Sequence, residues 1–173
     1  KLVIISPFPP EISGVGQYGA RVAQGLAASG VFDSVTVLAN YQSPITNYAA
    51  FPNLDTADHL TIRRAWARDW AGSAPAILGA LAELAPDAIW FNLGLSVFGR
   101  SRWANVLGLA TPMIARARGW PTVVTLHEIF EAVSLRDLGA ANGRLTHLGG
   151  HAVTQMLLRA DTVCFTLKRY VAE

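Results

Sequence analysis

A chain of 173 residues is long enough to bury one good hydrophobic core and short for two. Hydrophobic residues make up 51% of it and charged residues 15%, which excludes a disordered polypeptide and points to a sheet buried on both faces. The net charge of +2 gives no basis for a nucleic-acid binder, despite a pI near 9.0. Cys164 is the single cysteine, so no disulfide framework holds the chain together, and that fits a reducing compartment. No uncharged stretch is both long and apolar enough to span a bilayer, and the opening KLVIIS runs straight into Pro7, too early for a secretory signal. The expectation is a soluble, cytoplasmic protein. Both ends read as cut, the second more tellingly, because the chain stops at Glu173 just as a new helical pattern begins.

In chain order, six apolar, β-branched runs alternate with helical patterns: 2–6, 35–39, 60–64, 88–92, 122–126 and 162–166. Such alternation predicts βαβ units, and hence a Rossmann-like, doubly wound α/β fold with a mostly parallel sheet and helices on both faces. Between the first two runs the spacing predicts a helix from Val15 to Ser29, stopped by Gly30. A second helix is expected over Ala76 to Leu84, closed by Pro86, and a third over Arg102 to Leu109. Thr111-Pro112 reads as an N-cap and first-position pair for a fourth, ending at Arg118 before Gly119. The last full helix runs from Gly143 to Arg159, and the stretch from Asn40 to Asp58 is the irregular excursion.

The stretch SGVGQYG, residues 13–19, contains G-x-G-x-x-G as Gly14, Gly16 and Gly19. A dinucleotide fold needs the first glycine close behind the first strand and an acid at the end of the second. Here PFPPEIS intervenes, and the second strand ends Ala39-Asn40-Tyr41, so both requirements fail. What remains is a proline-stiffened loop entering a glycine-rich helix N-terminus, where unpaired N–H groups and the helix dipole favour a phosphate. Gly19 is better explained by close packing of helix on sheet. Gly14, beside a strand's carboxyl end, is where open α/β sheets place ligands.

His127-Glu128 follows the strand TVVTL directly. A histidine there can donate to a sugar hydroxyl or stabilise charge, although on the residues alone an ordinary hydrogen-bonded histidine is the commoner outcome. Glu128 reads either as an acceptor ligand or general base, or as a solvated loop carboxylate, and Glu131 as the latter. Asn92 ends its strand beside the first strand's loop and is open to a hydroxyl-binding role. His147 and His151 are four apart on the last helix, but HLGGH lacks the metalloprotease glutamate and a third ligand, so no metal site is expected. RRAWARDW, residues 63–70, offers a membrane-interface patch, but a strand end whose tryptophans cover the core edge is preferred. Cys164, between Val163 and Phe165, is expected to be buried packing.

SPFPPEISGVGQYGARVAQGLAASG closely resembles the start of the N-terminal domain of retaining GT-B glycosyltransferases, the large group 1 or family 4 type. PDAIWFN, GWPTVVTLHE and RADTVCFTLKRYVAE resemble later segments of that domain, in the right order. The resemblance implies that residues 1–173 are one Rossmann-like domain, the acceptor-side half of a GT-B fold, with the C-terminal nucleotide-sugar-binding domain absent from this chain. It implies sugar transfer from a nucleotide-sugar donor to a sugar or lipid-linked acceptor with retention, no obligatory metal, no cofactor and no nucleic acid. By the same resemblance Ser13, Gly14, Val15 and Gly16 face the donor phosphates, and His127 contacts the donor sugar with Glu128 as its catalytic neighbour. Asn92 and Tyr18 then lie toward acceptor or sugar, and a peripheral position at the inner face of the membrane is a further option. Ser13 departs from the family, which usually has the first of two glycines there, but it can N-cap the helix. A standalone sugar- or nucleotide-binding module and a dinucleotide-dependent oxidoreductase stay as alternatives, the latter disfavoured by Asn40.

Overall fold

The computed structural model describes residues 1–41, 58–128 and 144–167. Six strands, β1 (Leu2–Ile5), β2 (Val35–Asn40), β3 (Leu60–Trp66), β4 (Ala88–Leu93), β5 (Thr122–Leu126) and β6 (Thr162–Phe165), form one sheet in the order β3-β2-β1-β4-β5-β6. Every pair is parallel, with Ile5 level with Leu38 on one side and Phe91 on the other. The helices are α1 (Gly14–Ala28), α2 (Ser73–Leu84), α3 (Arg102–Leu109), α4 (Thr111–Ala117) and α5 (Arg144–Leu157).

Side chains alternate across the sheet, so β1 feeds two cores. Leu2 and Ile4 join Val35, Val37 and the small stripe Ala20, Ala23 and Ala27 of α1. Val3 and Ile5 face the other way, toward Phe91, Ile77 and Leu81 of α2, Leu109 of α3, Ala115 of α4 and Leu157 of α5. Helices thus cover both faces of the sheet, which explains the high apolar fraction.

Ser13 caps α1: its backbone is extended, and its Oγ accepts from the Gly16 N–H at 3.0 Å. At the other end Gly30 adopts φ 67°, the left-handed conformation that glycine allows after a helix. Ser13→Ala is expected to cost about 1 kcal/mol of stability, read as a lower urea midpoint with an unchanged slope.

Four expectations need correction. α2 begins at Ser73 rather than Ala76, because Ser73 Oγ donates to the Ala67 carbonyl (2.7 Å) and accepts from the Ala67 N–H (3.1 Å), tying the first turn to the end of β3. Pro75 is tolerated there, since first-turn N–H groups lack helical partners. Thr111 is not an N-cap: Ala110 is already helical, and the buried Thr111 hydroxyl donates back to the Gly108 carbonyl at 2.6 Å. Cys164 is exposed, because β6 is the edge strand and no described helix packs on the side that it shares with Thr162. Of the two tryptophans in RRAWARDW only Trp66 is core, donating from Nε1 to the Leu38 carbonyl at 2.9 Å; Trp70 is 47% exposed and lies over Gly72. Most of the Asn40 to Asp58 excursion, Glu131 and the His147 side chain lie outside the described residues.

Candidate active site at the β1–β4 switch point

In an open parallel sheet a crevice forms outside the strand carboxyl ends where the strand order reverses. Here that place lies between β1 and β4. β1 leaves it through Ser6, Pro7 and Phe8, α1 starts beside it, and β4 and β5 arrive with Asn92 and His127.

Asn92 is wholly buried and joins these parts. Its Nδ2 donates to Ser6 Oγ (2.9 Å) and to the Val15 carbonyl (2.8 Å), and its Oδ1 lies 2.7 Å from His127 Nε2. A carbonyl only accepts, so the bond to Val15 fixes which end of the amide is nitrogen and turns the oxygen toward the imidazole. That oxygen also only accepts, so His127 Nε2 carries a proton. Burial pushes the His127 pKa below its ordinary value, which favours the neutral ring with its lone pair on Nδ1. Among the described residues nothing bonds to Nδ1. The ring therefore presents an acceptor, held from behind by a buried amide.

Tyr18 stands edge-on to this imidazole, with centroids 5.1 Å apart, and also touches Trp90 at 6.3 Å. Glu128 is half-buried. A Cβ placed on Gly94 would lie 3.5 Å from Val15 Cγ2 and 3.9 Å from Glu128 Oε2, so Val15, Gly94 and Glu128 share one small volume. The four residues of the α1 entrance divide in two. Ser13 and Gly16 are bonded to each other, and Gly16 is buried. Gly14 is exposed with open space where a Cβ would be, and the Gly14 and Val15 N–H groups have no hydrogen bond among the described residues. Asn92, by contrast with the hydroxyl-binding expectation, spends both donors inside the fold.

Several residues that hold this arrangement escaped the sequence reading. Asn40 Oδ1 accepts from the Phe8 N–H (3.1 Å), its Nδ2 donates to the Glu11 carboxylate, and Arg64 donates to the carbonyls of Phe8, Pro9 and Asn40. Arg68 pairs with Glu11 at 3.1 Å and donates to the Ser96 carbonyl at 3.1 Å, clasping the loop after β1 to the loop after β4. Asn40 occupies the place where a dinucleotide fold keeps its acid, and here its amide holds the proline loop. The signal available was the buried polar residue at a strand end. Arg63 pairs with Glu83 at 2.8 Å, so all three arginines of RRAWARDW are engaged within the chain.

A groove of about 560 Å³ lies at the amino ends of β5 and β6, between Met113, Arg116, Trp120, Arg159 and Asp161. It is remote from the strand carboxyl ends, and its Asp161 is consumed by the Thr122 N–H (2.9 Å) and, second, by Arg116 (2.7 Å), which hold that carboxyl below the usual range. No group of three or more metal-ligating His, Cys, Asp or Glu comes together among the described residues.

No protein-family model matches the chain, and no curated protein sequence does. Among solved structures it is similar to UGT2 of Phytolacca americana, a UDP-glycosyltransferase of GT-B fold determined with UDP-2-fluoro-glucose and pterostilbene. Identity is 12% and the TM-score 0.53, over 95% of this chain and 46% of that one, so the chain spans about half the length of its structural neighbour. The likeness establishes the fold: a Rossmann-like α/β domain matching part of a GT-B glycosyltransferase.

Proposed function

We propose that these residues are the acceptor-side half of a retaining glycosyltransferase of the group 1 type, moving a sugar from a nucleotide-sugar donor to a sugar or lipid-linked hydroxyl. The observation that carries this reading is His127 at the switch point, held in one tautomer by Asn92 with Nδ1 left open. In this reading the Gly14 and Val15 N–H groups face the donor diphosphate, where the dipole of α1 favours negative charge. Nδ1 of His127 accepts from a donor-sugar hydroxyl, Tyr18 walls the pocket, and Glu128 orients the acceptor. Ser13, Gly16 and Asn92 shape the site without touching the ligand. The nucleotide is held by a second domain outside residues 1–173, closing over the donor. The leaving diphosphate assists attack from its own side, and no metal or cofactor is required.

The test begins with the source gene beyond the codon for Glu173. A second βαβ pattern of about domain length is expected. In the protein so completed, His127→Ala is expected to lower kcat/KM with nucleotide-sugar by about a hundredfold or more, with an unchanged far-UV circular dichroism spectrum. The 173-residue chain alone is expected to show no turnover and little nucleotide-sugar affinity by calorimetry. Robust turnover by it would sink the two-domain reading, and a stop codon within a helix length, with tight ligand binding, would replace it with a standalone binding module.

A further inference from the structure

The outer face of the helical layer carries a surface that the site does not use. On α3, Trp103 is 78% exposed, Val106 36% and Leu107 44%, while Ala104, Gly108 and Leu109 face the core. Residues three and four apart share one side of a helix, so the exposed three form a single apolar strip. Arg100 and Arg102, both exposed, stand at its head; α3 packs on α4 and α5, and just past the last residues of those two helices Arg118, Leu158 and Arg159 are exposed as well.

Charge makes the face one-sided. From Ala88 to His127 the chain contains four arginines and no aspartate or glutamate. Among the described residues, Glu83 of α2 is engaged with Arg63, Asp161 just past α5 with Arg116, and Asp69 just before α2 with the Ser101 N–H. Among the described residues Arg100, Arg102, Arg118 and Arg159 make no ion pair.

We propose that this face docks on an anionic lipid surface, with Trp103, Val106 and Leu107 entering the headgroup boundary and the arginines meeting lipid phosphates. Tryptophan with aliphatic neighbours and flanking cations is the composition that lies in a membrane interface. The mode is peripheral, since no described helix is long and apolar enough to cross a membrane. A second copy of the chain is a poorer occupant, because a twofold contact sets the same cations against each other. Three apolar side chains on two turns are also little for a stable protein interface, yet enough for shallow insertion. None of the switch-point residues takes part, so the proposal stands or falls apart from the transferase reading.

The test is co-sedimentation with phosphatidylcholine vesicles, with and without phosphatidylglycerol, at low and high salt. Binding is expected with phosphatidylglycerol only and is expected to weaken as salt rises. Arg100→Glu with Arg102→Glu is expected to weaken it at least about tenfold, and so is Trp103→Ser with Leu107→Ser; the exposed positions leave the fold intact, as checked by thermal unfolding. Equal binding to uncharged vesicles, no binding, or binding untouched by both pairs of substitutions overturns the proposal. A concentration-dependent dimer abolished by Trp103→Ser with Leu107→Ser, without lipid binding, also overturns it and makes the face a protein interface.

Discussion

Gly19→Ala is expected to destabilise the chain by about 2 kcal/mol or more, whereas Gly25→Ala, in the same helix, is expected to stabilise it by roughly 0.5–1 kcal/mol. The two differ only in what a methyl group meets. At Gly25 there is open space, so alanine simply removes the entropy penalty of glycine in a helix. At Gly19 the added carbon collides with Ser6 Oγ and lies 2.7 Å from Asn92 Nδ2. Neither neighbour gives way cheaply. Ser6 is buried and donates to the Pro7 carbonyl at 2.7 Å, and Asn92 is held by three partners, so α1 must lift from the sheet or the polar cluster must break. Urea unfolding of both variants checks this directly. Equal and favourable shifts at the two positions would mean that Gly19 is not a close-approach glycine.

That pair also shows what the sequence could say. Strand runs were legible because their apolar, β-branched stretches stand between helical patterns, and all six strands lie where the periodicity puts them to within a residue or two. Gly19 was legible as packing because G-x-G-x-x-G at a strand-to-helix turn has a recurrent geometry. The start of α2 at Ser73 and the role of Thr111 elude the sequence for one reason: a hydroxyl near a helix start can bond forward, backward or across, and only the tertiary neighbours decide. Cys164 was misread because apolar neighbours in sequence do not tell an edge strand from a central one. The site divides in the same way. His127 and Asn92 were recognisable as polar residues at strand ends, but their bond needs the β4–β5 register, in which Asn92 pairs with Thr125 and Leu93 with Leu126. The clasp of Glu11, Arg68 and Ser96 joins three loops far apart in the chain, and no spacing rule reaches that distance.

Asn92 is the residue on which stability and chemistry are most closely joined, and two substitutions are expected to separate them. Asn92→Leu leaves the Val15 carbonyl and the His127 Nε2–H without their partner, an expected cost of about 2–5 kcal/mol from two orphaned groups. In whatever folds, the imidazole loses the acceptor that selected its tautomer, so 15N spectra of His127 should show a mixture in place of the Nε2–H form. Asn92→Asp puts a carboxylate against the same nitrogen and is expected to raise the His127 pKa. The two states then have opposite pH signatures. In the parent chain burial depresses the folded pKa, so its unfolded form binds the proton first: stability is complete above about pH 6.5 and falls as pH drops below it. In Asn92→Asp a folded pKa lifted past the unfolded value contributes stability that is full below about pH 6.5 and is lost as pH climbs through the new value. Unfolding curves across the range from acid to mildly alkaline pH, with His127 followed by NMR, therefore distinguish a positioning amide from a merely structural one. If His127 titrates identically in both proteins, Asn92 does not set the state of the imidazole. If the slope reverses, the protonation of the open Nδ1 is governed from the buried side of the sheet, by a residue that no ligand needs to touch.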